Sequence, residues 1–303
     1  MDSLSVSLRV VSPLFLLMVI GYPLRRLKLY DDHTIEQMNT VVFKLLLPAM
    51  LCNNIYTCDL GQDLNPRLIA TALLLSLACL AVTWAAAALI EKDTPRRAAL
   101  AQGMFRNNYI LYGIPIATAV YGEGCAGAMA ILLACVIPFN NVLTVFQLTC
   151  ITNEKFQPGK ILRDVLTNPF VVSSALGFAL LVSGIKLPEI AEKTLSDLAK
   201  TATPVSLLLL GGAFSIKASG IYRKQIVIGV VGKLLALPAL FLPPIVLGLG
   251  LHGQNLLFML IMLATPVAST SHIMARNMGA DDALAGQLIV FGSAFSVLTL
   301  FFW

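Results

Sequence analysis

Residues 68–90 carry no charged side chain, and residues 226–251 carry one, Lys233. At 1.5 Å per residue the first run makes about 35 Å of helix, enough to cross roughly 30 Å of hydrocarbon. Runs of this kind recur along the whole sequence, which excludes a soluble domain held by a single anchor. Both runs are apolar all round, whereas the strands of a membrane barrel alternate apolar and polar residues. Composition agrees, with 57% of residues hydrophobic and 12% charged. A soluble domain carries about a quarter charged residues, so this chain cannot cover a water-facing surface. The expected fold class is an all-α polytopic membrane protein.

Ten transmembrane helices fit the hydrophobic runs: 4–24, 34–56, 67–90, 97–121, 124–150, 161–184, 197–217, 222–250, 254–278 and 281–303. Basic residues fall unequally on alternate loops. One side has Arg25, Arg26, Lys28, Lys92, Arg96, Arg97, Lys155, Lys160, Arg163, Lys217, Arg223, Lys224 and Arg276; the other has Arg9, Arg67, Lys186, Lys193 and Lys200. Loops rich in lysine and arginine stay in the cytoplasm, so both termini are expected outside it, across the cell inner (plasma) membrane. The net charge of +5 comes from these short loops without any basic run, and nucleic acid is not an expected partner. The first span lacks a small-residue cleavage site and ends in basic residues, so it reads as a retained helix rather than a signal peptide. Cys52, Cys58, Cys79, Cys125, Cys135 and Cys150 lack metal-ligand spacing and read as small packing residues.

The two halves resemble each other. Val142-Leu-Thr-Val-Phe146 ends span five and Val297-Leu-Thr-Leu-Phe301 ends span ten. Leu27-Lys-Leu29 follows span one and Ile185-Lys-Leu187 follows span six, at nearly the same offset. This implies a duplicated five-helix unit, residues 1–153 and 154–303. An odd number of spans inverts the second copy, and inverted repeats are a transporter architecture because exchanging the conformations of the halves exchanges inward-open for outward-open.

Corresponding places in the two halves read as broken helices crossing at mid-membrane. Span four contains Arg106-Asn-Asn-Tyr-Ile-Leu-Tyr-Gly-Ile-Pro115 and span nine Ala264-Thr-Pro-Val-Ala-Ser-Thr-Ser-His272. Proline has no amide hydrogen and disfavours helix in the residue before it, Ile114 and Thr265. Asn107, Asn108 and Gly113 weaken span four further. Unwound backbone at that depth is tolerated where it is buried in protein or lines a wet cavity, and each break exposes the positive end of a half-helix. A lone proline in a membrane span is usually only a kink, and Ser269, Thr270 and Ser271 also suit helix packing. The matching positions favour a binding site lined by Arg106, Asn107, Asn108, Tyr109, Pro115, Pro266, Ser269, Thr270, Ser271 and His272.

The sign of the buried charge points to the ligand. Lys44, Arg106 and Lys233 lie well inside spans, whereas all 16 acidic residues sit in loops or near span ends. Burying such a charge costs at least ~2.5 kcal/mol, and the spans supply no carboxylate to offset it. A small organic anion is the missing counter-charge, with Arg106 as its partner. Lys44, Lys233, Asn140 and Asn141 are accessory candidates; snorkelling towards the cytoplasm is the alternative for the two lysines. Histidine is the side chain whose ordinary pKa lies near neutral, so the residue type at His272 suits proton coupling or a packing role equally. No metal and no resident cofactor are expected, and the coupling ion stays open between sodium, protons and none. A membrane-embedded enzyme would need a carboxylate pair or clustered histidines in the spans, which are absent from the sequence. A ligand sensor would need an output domain, for which the short loops and the end at Trp303 leave no room.

Lys44-Leu-Leu-Leu-Pro-Ala-Met50, Asn108-Tyr-Ile-Leu-Tyr-Gly-Ile-Pro115, Thr203-Pro-Val-Ser-Leu-Leu-Leu-Leu-Gly-Gly-Ala213 and Ala264-Thr-Pro-Val-Ala268 resemble the auxin efflux carrier family. That family includes bacterial permeases for malonate and malate as well as plant auxin exporters. The resemblance implies the fold of bile-acid/sodium symporters, with a dimerising scaffold from spans one, two, six and seven. The remaining spans would form a transport domain with an elevator-type movement. It assigns the crossover prolines to Pro115 and Pro266 and the polar crossover residue to Asn108. A sodium-coupled symporter of bile-acid-like or other organic solutes is the alternative it leaves. The middle loop, 153–162, is short, as in prokaryotic-type members. The expectation is a homodimeric carrier of a small mono- or dicarboxylate.

Overall fold

The computed structural model describes residues 3–27, 29, 31–57, 65–122, 125–153, 158–214 and 216–303. Lys28, Cys58 and Lys155 lie outside the described residues, as do the side chains of Arg9, Pro115, Lys160 and Lys217.

The described chain is helical. In order, its α-helices are α1 (Ser3–Arg26), α2 (Asp32–Val41), α3 (Leu47–Tyr56), α4 (Pro66–Ile90), α5 (Thr94–Phe105), α6 (Tyr109–Tyr121), α7 (Ala126–Thr152) and α8 (Pro158–Leu166). They continue with α9 (Pro169–Ser183), α10 (Glu189–Ala213), α11 (Ile216–Ile221), α12 (Arg223–Val231), α13 (Leu237–Leu249), α14 (Gly253–Ala264), α15 (Ser271–Asn277) and α16 (Asp282–Phe302). Several of the starts share one local rule, an Asn or Asp cap, in three cases just ahead of a proline. Asn65 accepts from the Leu68 amide ahead of α4, Asp93 from Arg96 ahead of α5, Asn168 from Phe170 ahead of α9 and Asp281 from Leu284 ahead of α16. Each such cap contributes about 1 kcal/mol, and proline in the first turn loses no bond the helix would have made.

Two π-helical turns, Val42–Leu46 and Gly232–Ala236, join α2 to α3 and α12 to α13. Both lie just ahead of a proline, Pro48 and Pro238. The carbonyls that proline leaves without an amide partner are relieved by one extra residue in the turn.

Among the described residues five helical stretches are long and apolar enough to cross a membrane: His33–Tyr56, Pro66–Ile90, Ala128–Thr152, Arg223–Leu249 and Asp282–Phe302. Leu74, Leu89, Leu247 and Phe302 stand exposed on such helices, as lipid contact requires. The expected span at 197–217 coincides instead with a longer helix, α10, whose first half carries Glu189, Glu192, Lys193, Asp197 and Lys200. The expected span at 161–184 is divided at Thr167 and Asn168, because Asn168 caps a new helix that Pro169 opens.

Two sets of contacts dominate the packing. α1 runs against α10, and α3 packs on both α9 and α10. The approach is backbone on backbone: a Cβ on Gly211 would stand 1.9 Å from the Met18 carbonyl oxygen, and one on Gly21 2.1 Å from that of Leu208. Elsewhere α4, α5 and α7 pack mutually, α16 lies on α5, α12 and α15, and α14 contacts α6 and α13. There Leu288 fills the space left by Gly103 and Gly229.

Candidate functional site

α5 ends at Phe105 and α6 begins at Tyr109, and the chain between them is extended at Arg106 (φ −72°, ψ 137°). α14 ends at Ala264, Thr265 is extended (φ −70°, ψ 148°), and α15 begins at Ser271. The two non-helical stretches touch: the Asn108 amide donates to the Pro266 carbonyl at 3.0 Å. A backbone group freed in one is therefore satisfied by the other, which is how irregular backbone survives in an apolar interior.

The first interruption falls at residues 106–108, the Asn-Asn part of the expected stretch, while Ile114 and Pro115 lie inside α6. The Asn107 side chain supplies an alternative hydrogen bond to the chain, to the Phe105 carbonyl at 3.2 Å, whereas Pro115 removes only one helical bond. In the second interruption Thr265, the residue before Pro266, is extended as the steric argument requires.

A cavity of about 50 Å³ lies at this junction. Arg106, Asn107, Asn108 and Tyr109 line it from the first interruption, Ser269 and Thr270 from the second, and Asn140 and Asn141 from α7. Met50 and Leu51 of α3 and Thr203 of α10 close it. Sequence reasoning did not select these three, although Met50 and Thr203 stand in two of the quoted motifs. Thr203 Oγ1 donates to Met50 Sδ at 3.4 Å.

Arg106 is half-buried and faces soft or neutral groups. Its guanidinium donates to Met274 Sδ at 3.0 Å and to Asn141 Oδ1 at 3.4 Å, and lies 5.9 Å from the centroid of the Phe170 ring. Asn141 in turn donates to Ser174 Oγ at 2.8 Å. The ion pairs among the described residues, Arg96 with Asp93 and Asp281 and Arg276 with Asp282, all lie at helix ends. Lys233 is 1% exposed and donates to Asn107 Oδ1. It holds the junction from the side away from the cavity.

Other expected residues lie elsewhere. Lys44 is exposed on the outer surface of its π-helical turn. Ser271 is buried but does not line the cavity. His272 faces a separate small cavity beside Leu210, Phe214 and Gln287, with Nδ1 2.8 Å from the Asp282 carbonyl oxygen. The reason is helical phase: Ser271 and His272 belong to α15, which directs them away from the turn at Ser269 and Thr270 that lines the cavity. Among the described residues no group of three His, Cys, Asp or Glu side chains could hold a metal ion.

Comparison with known proteins places this arrangement in context. Residues 6–303 match the family described as "Membrane transport protein". The chain is also 22% identical over 297 residues to a protein of Rhizobium meliloti (strain 1021) named "Putative malonate transporter", covering 96% of this chain and 92% of that one.

Proposed function

The chain belongs to the membrane transport protein family, whose members are auxin efflux carrier-like, and from that premise we propose that it carries a small dicarboxylate of the malonate type by alternating access. One observation carries the reading: an arginine lines a cavity at the meeting of two helix interruptions, held by neutral and sulfur groups rather than by a carboxylate. Its missing counter-charge is the substrate. Asn107, Asn108, Ser269 and Thr270 surround it with hydrogen-bonding groups of both kinds. The N-terminus of α6 adds partial positive charge and unpaired amides at the same place. The relative's name supplies the ligand class.

The finer architecture of this proposal is ten transmembrane helices in two inverted repeats, residues 1–153 and 154–303. α1, α3, α9 and α10 form a scaffold that pairs in a homodimer, and the remaining spans form the moving domain. The backbone-on-backbone glycine contacts support this division, since they lie within the first set, while α1 also packs on α16 and α9 on α7 across it. Arg106 belongs to the second set but faces Phe170 of α9, so the cavity lies at the seam along which an elevator would slide. At about 50 Å³ it holds a few waters, and loading a dicarboxylate requires the seam to widen. Export of each negative charge gains about 2.3 kcal/mol per 100 mV, inside negative.

Uptake of labelled malonate into liposomes holding the purified protein tests the reading. Arg106→Gln removes a charged hydrogen bond, so affinity falls at least about tenfold. Unchanged affinity overturns the role of Arg106, and a wild-type protein that moves no dicarboxylate overturns the function.

A further inference from the structure

We propose that Lys233 is a positioning residue: through a one-way chain of hydrogen bonds it makes the Asn140 side of the cavity a donor to the substrate carboxylate. The proposal rests on the anion-carrier reading above and extends it to a residue that never touches the ligand.

The chain begins with a group that can only give. An ammonium has three donors and no acceptor, so the atom of Asn107 that faces Lys233 is its oxygen. Thr265 Oγ1 lies 3.5 Å from the same oxygen, but its one O–H goes to the Ile261 carbonyl at 2.8 Å, which leaves Lys233 as the donor that Asn107 Oδ1 has. The Asn107 amide is thereby fixed, with Nδ2 directed to the Phe105 carbonyl at 3.2 Å and to Tyr109 Oη at 3.0 Å. Tyr109 Oη receives that N–H and has its own O–H to give.

Asn140 Nδ2 stands 2.8 Å from the same phenol oxygen. In that orientation Tyr109 receives two donors, and the buried Asn140 Oδ1 is left without a protein partner. Half a turn of the amide exchanges its nitrogen and oxygen without changing its shape. Tyr109 then donates to Asn140 Oδ1, and Asn140, which lines the cavity, holds a free N–H. Every bond now runs the same way, from Lys233 to Asn107 to Tyr109 to Asn140. Such chains polarise each member in turn. A charge that is itself closed off from the cavity reaches it as a strengthened N–H donor, and a carboxylate bridges that donor and Arg106.

Without the ammonium, the Phe105 carbonyl alone orients the Asn107 amide, and the chain loses the charge that polarises it. Lys233→Met is therefore expected to weaken malonate binding about tenfold while maximal uptake stays within about twofold. Tyr109→Phe gives a similar loss, and the double variant is no weaker than about tenfold, because both changes cut the same chain. Lys233→Arg, which still only donates, keeps affinity within about threefold of wild type. Melting curves establish that each variant folds. If Lys233→Met does not, Tyr109→Phe replaces it: it adds no charge and cannot pass a hydrogen bond on to Asn140, and the same loss is expected. Losses that multiply to about a hundredfold in the double variant overturn the proposal, as does wild-type malonate affinity in Lys233→Met or Tyr109→Phe. A wild-type protein that binds no dicarboxylate overturns the anion-carrier reading, and this proposal with it.

Discussion

The seam between α1 and α10 and the junction of the two interruptions are both buried contacts between distant parts of the chain, yet they are built from opposite materials. At the seam, Gly21 and Gly211 let backbone meet backbone, and Met18, Leu207 and Leu210 close the contact with apolar packing. At the junction, one backbone hydrogen bond is surrounded by amides, hydroxyls and two cations. Thr270 Oγ1 and Ser271 Oγ are buried there without a hydrogen-bond partner among the described residues. A dry seam with no slack has one arrangement, because packed interiors do not deform continuously. A junction that keeps polar groups unsatisfied forgoes stability there, and on the proposed function that is where a substrate would bind.

The largest expected effect breaks the seam. In Gly211→Ala the new methyl group would stand 1.9 Å from a backbone oxygen, which cannot move aside as a flexible side chain would. A cost of about 3 kcal/mol or more follows, seen as loss of folded protein in detergent or a sharply lower melting temperature. A variant that melts like wild type would show that α1 and α10 are free to separate. At the junction the opposite sign is expected. Ser271→Ala removes a buried hydroxyl that has no partner, and stability rises by about 1 kcal/mol. A fall in melting temperature would mean that a water or an unseen partner satisfies that group in solution.

How far the sequence reveals these regions depends on whether the cause is local. Helix starts are local: Asn65, Asp93, Asn168 and Asp281 cap the residues that follow them. Yet the division at Asn168 disappears when hydropathy is averaged over 161–184, although Arg163, Asp164 and Asn168-Pro169 stand at it, since hydropathy does not register a cap. Arg106 and the asparagines beside it are legible because a charge in an apolar span has few explanations. Lys44 and Lys233 show the limit. Both sit in Lys-Leu-Leu stretches and in π-helical turns ahead of a proline. One is exposed, free to snorkel along its helix, and the other is 1% exposed against Asn107. Local sequence fixes the backbone defect, and only the neighbouring helix decides what the lysine does. Gly211 stands in one of the quoted motifs, but neither it nor Gly21 shows its packing role in the sequence, because the backbone each one meets is far away along the chain.

The smallest expected effect tests whether the helices around the junction are also held from outside the membrane. Glu91 follows α4 and accepts from Gln225 Nε2 of α12 at 2.7 Å. That bond, more than any nearby charge, holds the Glu91 carboxyl below its ordinary value of 4.5, against a smaller opposing effect of burial. A carboxyl with a lowered folded pKa binds fewer protons folded than unfolded. Its contribution is complete above the unfolded value and is lost as pH falls through the folded one. The group is largely solvated, so the effect is small and weakened by salt. Gln225→Leu removes the acceptor's partner. Its melting temperature should lie slightly below that of wild type at pH 7, and the two curves should converge as pH falls well under 4.5. A gap that persists at the acid end would assign the loss to packing between α4 and α12 rather than to the carboxylate, and would leave the dry seam as the better-supported anchor of the fold.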